Sequence, residues 1–218
     1  MRTALPHLNE TNLEIPIHGV TLVGDLIIPE EATGLVVFAH GSGSSRKSSR
    51  NRFVAGLLHQ HRLGTLLFDL LTLGEEREDE ITAAYRFNIA LLSDRLIAVT
   101  GWLFEQFNDI QTGYFGASTG AAAALNAAAY YGRKIGAVVS RGGRPDLASN
   151  LPEVLSPTLL IVGSLDHVVI QLNQTAFDQL TCPKQFELVP GATHLFQEPG
   201  TLQQAGNLAA NWFSNHLK

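Results

Sequence analysis

Four short runs of the sequence are almost entirely apolar, and they limit the folds that the chain can adopt. They read LVVFA, TLLFD, AVVS and TLLIVG. A strand that is apolar on both faces needs cover on both faces, whereas a strand with one wet face alternates apolar and polar residues. Longer stretches of helical periodicity separate these runs. The pattern therefore predicts a doubly wound α/β fold, with a mostly parallel sheet and helices on both faces.

Eight strands are predicted from the apolar runs and their spacing. Only His18 and Gly19 separate the first two, which indicates a hairpin that enters the sheet antiparallel. Helices are expected between the later strands, among them Asn51–Gln60, Tyr85–Phe107 and the amphipathic segment Leu202–Leu217. The predicted strands are Leu13–Ile17, Val20–Ile28, Leu35–Ala39, Thr65–Asp69, Gly113–Ala117, Ile135–Ser140, Thr158–Gly163 and Gln185–Val189.

Composition narrows the class of protein. The 218 residues are 45% hydrophobic and 16% charged, which is typical of one globular domain, expected to span residues 1–218. A net charge of −5 argues against a nucleic acid partner, because such binding needs a dominant positive field. No apolar stretch has the length of a signal sequence or a membrane span, so we expect a cytoplasmic protein with no membrane partner.

Neither a metal nor a cofactor is expected. Cys182 is the only cysteine, so an intrachain disulfide and a zinc site of paired cysteines are both excluded. It stands before Pro183 without a base nearby and is predicted to be a packed thiol. His59 and His61 fall at a helix end without nearby carboxylates, which is a poor metal site.

Ser118 stands where a predicted strand meets an alanine-rich helix, in the sequence GASTG. A serine on so tight a turn needs small residues two positions before and after it, and Gly116 and Gly120 fill both places. The alanines that follow let the helix approach the sheet closely. The pattern predicts a nucleophile elbow at the carboxyl end of the strand.

A serine nucleophile needs a base and an acid that orients the base. Asp166 follows the strand TLLIVG, and His194 follows the strand QFELV. The chain order Ser, Asp, His is that of the α/β-hydrolases. Asp146, after the sixth strand, is the rival orienting acid, and Asp166 is preferred because it lies in the expected loop.

The motifs FAHGSGSS, GASTG, VGSLDHVV and GATHLF together resemble the α/β-hydrolase superfamily, in its dienelactone-hydrolase-like branch. The resemblance implies Ser118 as nucleophile, His194 as general base and acid, and Asp166 as the residue that orients the imidazole. It also implies an oxyanion hole formed by the backbone N–H groups of Ser42 and Thr119. Dienelactone hydrolase proper uses a cysteine nucleophile, and here the elbow carries a serine.

The sixth strand and the strand that precedes Asp166 are separated only by the segment RGGRPDLASNLPEVLSP. No large cap domain is therefore expected, and the site should be open. The segments HGSGSSRKSSRNR and SRGGRPDLA also resemble a bacterial subgroup that occurs alone or fused to phosphoribosyltransferase domains. An open site favours a small or water-soluble ester over a long-chain lipid.

Basic residues follow the third and sixth strands at the edge of the sheet that carries Ser118. The first group is Arg46, Lys47, Arg50 and Arg52, and the second is Arg141 and Arg144. The two groups are predicted to recognise a carboxylate or phosphate on the substrate, with Arg46, Arg141 and Arg144 as the expected contacts. Alternatively, the basic residues balance EEREDE, residues 75 to 80. Of the remaining histidines, His40 is expected to brace its own loop, and His167 to line the pocket.

These patterns predict a serine hydrolase that cleaves carboxylic esters, lactones or related small acyl compounds through an acyl-enzyme. Two alternatives stay open: an acyltransferase with the same triad, and a binding protein without turnover on a hydrolase scaffold. A homodimer is compatible with an exposed edge strand at Gln185–Val189.

Overall fold

A computed structural model describes residues 10–107 and 110–218, and in it eight strands form one sheet. The strands are β1 (Glu10–Ile17), β2 (Val20–Ile27), β3 (Gly34–Ala39), β4 (Leu63–Phe68), β5 (Thr112–Ala117), β6 (Ile135–Arg141), β7 (Thr158–Gly163) and β8 (Lys184–Val189). Their order across the sheet is β1-β2-β4-β3-β5-β6-β7-β8. All eight predicted strands are present, with ends that differ from the prediction by at most three residues.

The first two strands form the predicted hairpin. His18 and Gly19 both have positive φ, of 42° and 81°, as a two-residue hairpin turn requires. β2 then pairs antiparallel with β4, and every later neighbour pairs parallel. Every residue of β3, β4, β5 and β7 is buried, which is why these runs are apolar at almost every position.

Six α-helices cover the two faces of the sheet or follow its strands within the described residues. They are α1 (Ser49–Gln60), α2 (Leu73–Thr82), α3 (Ile89–Gln106), α4 (Thr119–Tyr131), α5 (His167–Gln179) and α6 (Thr201–His216). α1 and α6 pack together on one face, and α3 and α4 pack together on the other, where α5 also contributes to the core. The carboxyl ends of the parallel strands are left free to carry the loops.

The alanine run forms α4, which crosses the middle of the sheet. Its alanines at positions 121 to 124, 127 and 128 are all fully buried. Small side chains let the helix axis come closer to the strands than leucine or valine would allow. This close packing places the start of α4 directly against the ends of β3 and β5.

The charged segment after β4 is helical, a feature that the apolar periodicity does not predict. α2 has only one buried residue, Asp79, so it lacks the apolar stripe by which helices are recognised. Its start does carry a sequence signal: Thr72 accepts a hydrogen bond from the Glu75 N–H, and the Glu75 carboxylate accepts one from the Thr72 N–H. The next helix, α3, begins after its cap Asn88 and not at Tyr85 as predicted.

The ends of the sheet and the single cysteine agree with the sequence. β8 is an edge strand with two exposed residues, Gln185 and Leu188, as expected for Gln185–Val189, and a dimer through it stays a prediction. Cys182 is buried and unpaired, and burial raises the pKa of its thiol. Within the described residues, none of the helices has the length and apolar character needed to span a bilayer.

His59 attaches the end of α1 to the sheet. Its Nε2 lies 2.8 Å from the Oγ1 of Thr65 on β4. Burial disfavours the charged imidazole and lowers the pKa of His59 to about 4. The folded protein therefore holds this histidine neutral at a pH where the unfolded chain already protonates it.

The pKa of His59 predicts a loss of stability in mild acid. The unfolded chain binds more protons between pH of about 6.5 and 4, so the free energy of unfolding falls as the pH falls through that window. His59→Gln should make this dependence shallower in urea titrations at a series of pH values. His61→Gln, at the exposed end of the same helix, is the control and should keep the wild-type slope. Equal slopes for both variants would contradict the assignment.

Candidate active site

Ser118 lies on a strained turn between β5 and α4. Its φ of 50° and ψ of −124° are unusual for a residue with a side chain. A Cβ on residue 120 would lie 2.1 Å from the Ala39 carbonyl oxygen, and one on residue 116 would lie 2.4 Å from Ala121 Cα. Only glycine fits at these two positions. The geometry is that of the predicted elbow, which lifts Ser118 at the carboxyl edge of the sheet.

The Ser118 hydroxyl is not used to cap its own helix. A serine at the N-cap normally accepts a hydrogen bond from an N–H of the first turn, but Ser118 does not. Its backbone carbonyl instead accepts hydrogen bonds from the N–H groups of Ala121 and Arg144. Among the described residues the hydroxyl has no hydrogen-bond partner, so it is available to a bound molecule.

Asp166 and His194 form a pair at the same edge. Nδ1 of His194 lies 2.7 Å from Oδ2 of Asp166, and the carboxylate is mostly buried while the imidazole is partly exposed. Asp166 is the N-cap of α5 and, like Ser118, makes no side-chain cap. Because the carboxylate accepts from Nδ1–H, the neutral ring leaves Nε2 as an acceptor. The rival acid, Asp146, is bound by the guanidinium of Arg144.

The loop after β3 lies against the elbow. A Cβ on residue 41 would be 2.9 Å from Ser118 Cβ, so only a glycine allows this approach. Oγ of Ser42 lies 3.0 Å from Oγ1 of Thr119, which joins the loop to the start of α4. Within the described residues, the backbone N–H groups of Ser42 and Thr119 have no hydrogen-bond acceptor. Two free N–H groups beside a serine are the elements of an oxyanion hole.

His40 fixes this loop, as predicted. Its Nδ1–H donates to the Gly41 carbonyl at 3.0 Å, and its Nε2 accepts the Leu70 N–H at 3.0 Å. Both bonds are made only by the neutral ring, and burial lowers the pKa of His40. The histidine therefore links the ends of β3 and β4 and holds the loop in position.

Ser118 and His194 line one cleft of about 210 Å³. The structure places no hydrogen bond between the two side chains. In enzymes without a bound substrate, the bond between a nucleophile and its base is often long and shortens only when substrate binds. The other residues that line this cleft are Gly41, Ser42, Ser44, Ser48, Arg50, Asn51, Ala117, Arg141, Gly142 and Leu195. A second pocket of about 310 Å³ lies on the other side of the loop after β3 and shares Gly41, Ser42 and Ser44 with the first.

Comparison with solved structures decides the family. A crystal structure of a dienelactone hydrolase from Anabaena variabilis is 51% identical to this chain, covers 97% of it and 99% of that chain, and superposes with a TM-score of 0.95. The chain belongs to the dienelactone-hydrolase-like α/β-hydrolases. The esterases Est1E from Butyrivibrio proteoclasticus and Pf2001 from Pyrococcus furiosus share this fold, with TM-scores of 0.79 and 0.77 at 14% and 18% identity and coverage of at least 94% of each chain.

A curated relative gives a different name. A protein of Mycobacterium tuberculosis with the provisional name phosphoribosyl transferase is 54% identical over 215 residues, which is 97% of this chain and 48% of that protein. This α/β-hydrolase chain therefore spans about half the length of the curated relatives that it matches. A scan against family models found no match. As expected, the described residues show no large cap over the site: only two short 3-10 turns, Pro145–Leu147 and Leu151–Glu153, separate β6 from β7.

The structure separates the three arginines that the sequence grouped. Arg46 is ion-paired with both Asp25 and Asp69, and Arg144 is ion-paired with Asp146. Neither lines the cleft. Only Arg141 does, and within the described residues its Nε and Nη1 have no hydrogen-bond partner.

Two of the five acids in the segment EEREDE pair with arginines that follow it in the chain. Asp79 binds Arg86, and Glu75 binds Arg95. Within the described residues no ion pair joins the segment to the basic loop after β3. His167 also departs from the prediction: it is exposed at the start of α5 and is not among the residues that line the cleft.

Two further residues line the cleft. Arg50 is one of the basic residues predicted after the third strand, and the first turn of α1 places it in a wall of the cleft. Asn51 is buried with an Oδ1 that finds no partner among the described residues, and no local pattern marks it. No group of three His, Cys, Asp or Glu side chains suited to a metal occurs in residues 10–107 and 110–218.

The elbow predicts a large effect of a single methyl group. Gly120→Ala should lower the free energy of unfolding by about 3 kcal/mol, because its Cβ meets backbone atoms that cannot move aside. Gly74→Ala is the matched control, since it lies in α2 with the nearest heavy atom at 3.9 Å. That variant should be as stable as the wild type or slightly more stable. Urea denaturation of both variants tests this, and similar values would contradict it.

Proposed function

We propose that this α/β-hydrolase is a serine hydrolase that cleaves carboxylic esters or related small acyl compounds through an acyl-enzyme. One observation carries the proposal: His194, which is bonded to Asp166, and an uncapped Ser118 line one cleft, beside two backbone N–H groups that have no acceptor within the described residues. The names of the structural neighbours, a dienelactone hydrolase and several esterases, support the same reaction class.

The proposed reaction begins with attack by the Ser118 oxygen on the ester carbonyl. The proton moves to Nε2 of His194, whose Nδ1–H stays bonded to Asp166, and the imidazolium that forms is stabilised by that carboxylate. The carbonyl oxygen becomes an anion and accepts hydrogen bonds from the N–H groups of Ser42 and Thr119. The C–O bond then breaks, and the leaving alcohol takes the proton from His194.

Water completes the proposed cycle. His194 removes a proton from water, the resulting hydroxide attacks the acyl carbon, and Ser118 leaves with the proton that His194 returns. Only two short 3-10 turns separate β6 from β7 in the described residues, so the acyl-enzyme is open to water, which favours hydrolysis over transfer to another acceptor. Small acyl groups fit a cleft of about 210 Å³ better than long chains do.

Ser118→Ala should abolish esterase activity. Wild-type protein should hydrolyse p-nitrophenyl acetate and butyrate faster than the octanoate, and the variant should lose about four orders of magnitude in kcat. Ser149→Ala, at an exposed position, is the control. A fluorophosphonate probe should label the wild type and not Ser118→Ala. An unlabelled wild type that also cleaves no ester would favour a binding protein without turnover.

The two candidate acids give a second, independent test. Asp166→Asn should lower kcat by about three to four orders of magnitude, because the amide no longer stabilises the imidazolium or fixes its tautomer. Asp146→Asn removes an acid that binds Arg144 and should lower kcat by less than about tenfold, because its effect on the triad is indirect. The assignment is wrong if Asp146→Asn is the more damaging substitution in the same ester assay.

A further inference from the structure

Arg141 is a buried cation without a counter-charge. It is the last residue of β6, its neighbour across the sheet is Ala117, which directly precedes Ser118, and only 7% of it is exposed. Its guanidinium carbon lies 5.9 Å from the centre of the Phe115 ring and 5.6 Å from that of Phe196. Within the described residues, Nε and Nη1 have no partner and no carboxylate forms an ion pair with it.

Burying a charge without a partner costs free energy, and Arg141 has no such partner within the described residues. The other arginine buried to this degree, Arg95, is paired with Glu75. Burial and the charge of Arg50 together lower the pKa of Arg141 to about 10, which still leaves the guanidinium charged at neutral pH. Packing against two rings holds it in place, but the rings leave its N–H donors without acceptors.

The walls around Arg141 reinforce its charge. Arg50 and Asn51, in the first turn of the twelve-residue helix α1, line the same cleft, and so do the hydroxyl-bearing residues Ser44 and Ser48. A helix start carries free N–H groups and the positive end of the dipole. No carboxylate lines this cleft in the part of the chain that the structure describes.

The neighbouring pocket has the opposite character. On the other side of the loop from Gly41 to Ser44 it is lined by Asp69, Glu76, Asp79 and Glu80, with Arg86 as its only arginine or lysine among the described residues. Arg86 is itself paired with Asp79. An anionic group on a molecule bound at Ser118 is therefore repelled from one side of the loop and attracted to the other.

The geometry points to an anion subsite beside Ser118, formed by Arg141, Arg50 and the start of α1, which binds a phosphate or carboxylate group on the acyl substrate. That the bound molecule is an acyl substrate rests on the proposed function, whereas the anion subsite itself is defined by its own residues. Arg46 and Arg144 are not part of it, because acids already occupy them. Two cations and no acid favour a dianionic phosphate over a carboxylate.

Binding of the anion alone tests the subsite without turnover. Inorganic phosphate, compared with sodium chloride at equal ionic strength, should raise the melting temperature of the wild type more than acetate does. The phosphate shift should vanish in Arg141→Met and shrink in Arg50→Gln. Lys47→Gln removes a charge from the same loop at an exposed position outside the cleft and should keep the full shift. Arg50→Gln, which is only partly buried, keeps the test decisive if Arg141→Met does not fold.

Substrate preference tests the same subsite during catalysis. Matched p-nitrophenyl esters of pentanoate, glutarate and phosphonobutanoate differ at the far end of the acyl chain, which is neutral, a carboxylate or a phosphonate. Wild-type kcat/KM should be highest for the phosphonate or carboxylate ester. The ratio of anionic to neutral kcat/KM should fall about ten- to a hundredfold in Arg141→Met, less in Arg50→Gln, and not in Lys47→Gln.

The outcomes separate the two proposals. The subsite is overturned if phosphate and acetate leave the melting temperature unchanged and the wild type shows no anionic preference, or if both persist in the Arg141 and Arg50 variants. A wild type that cleaves the neutral ester without such a preference leaves the serine hydrolase standing. A phosphate shift that needs Arg141, in a protein that cleaves no ester and whose Ser118 takes no fluorophosphonate, supports the subsite and rejects the hydrolase.

Discussion

The close contact between α4 and the end of β3 is the constraint on which the site depends. Gly120 brings the helix so near to Ala39 that no side chain fits between them, and the buried alanines continue that approach across the sheet. The turn before the helix is consequently forced to a positive φ at Ser118. Because of this conformation the serine does not cap α4, and its hydroxyl is left for other partners.

A second residue at the site also begins a helix without capping it. Asp166 begins α5 without capping it and accepts from His194 instead. His40 uses both ring nitrogens to hold the loop that carries Ser42. The polar groups behind the cleft are thus fixed by neighbours, while those that face it, the Ser118 hydroxyl and two backbone N–H groups, have no acceptor or donor in the described residues. Groups arranged in this way need little reorganisation when charge develops in a reaction.

Charge is distributed unevenly on the two sides of the loop after β3. Arginines elsewhere at this edge are neutralised by acids at short range: Arg46 by Asp25 and Asp69, Arg86 by Asp79, and Arg144 by Asp146. Arg141 and Arg50 form no ion pair within the described residues, and aromatic rings, not carboxylates, flank Arg141. The cleft beside the uncapped serine therefore carries a local excess of positive charge, although the net charge of the chain is −5.

Much of the architecture could be predicted because it follows from local chemistry. Strands covered on both faces must be apolar throughout, and the elbow must have glycine on both sides of the serine. The eight strands and the position of Ser118 could therefore be predicted from the sequence. α2 was missed because a solvated helix has no apolar stripe, although the Thr72 and Glu75 capping pair marks its start.

The sequence by itself determined the order of strands and helices, the tight turn at Ser118, and the loops in which Asp166 and His194 lie, since each depends on residues close together in the chain. Only the tertiary structure decided which ionisable groups meet. Asp166 reaches His194 across 28 positions, and Arg46 meets one acid within β2 and another just after β4. Arg141 is left unpaired within the described residues. Ion pairing depends on distances of a few ångströms between segments that folding brings together, and no spacing along the chain records those distances.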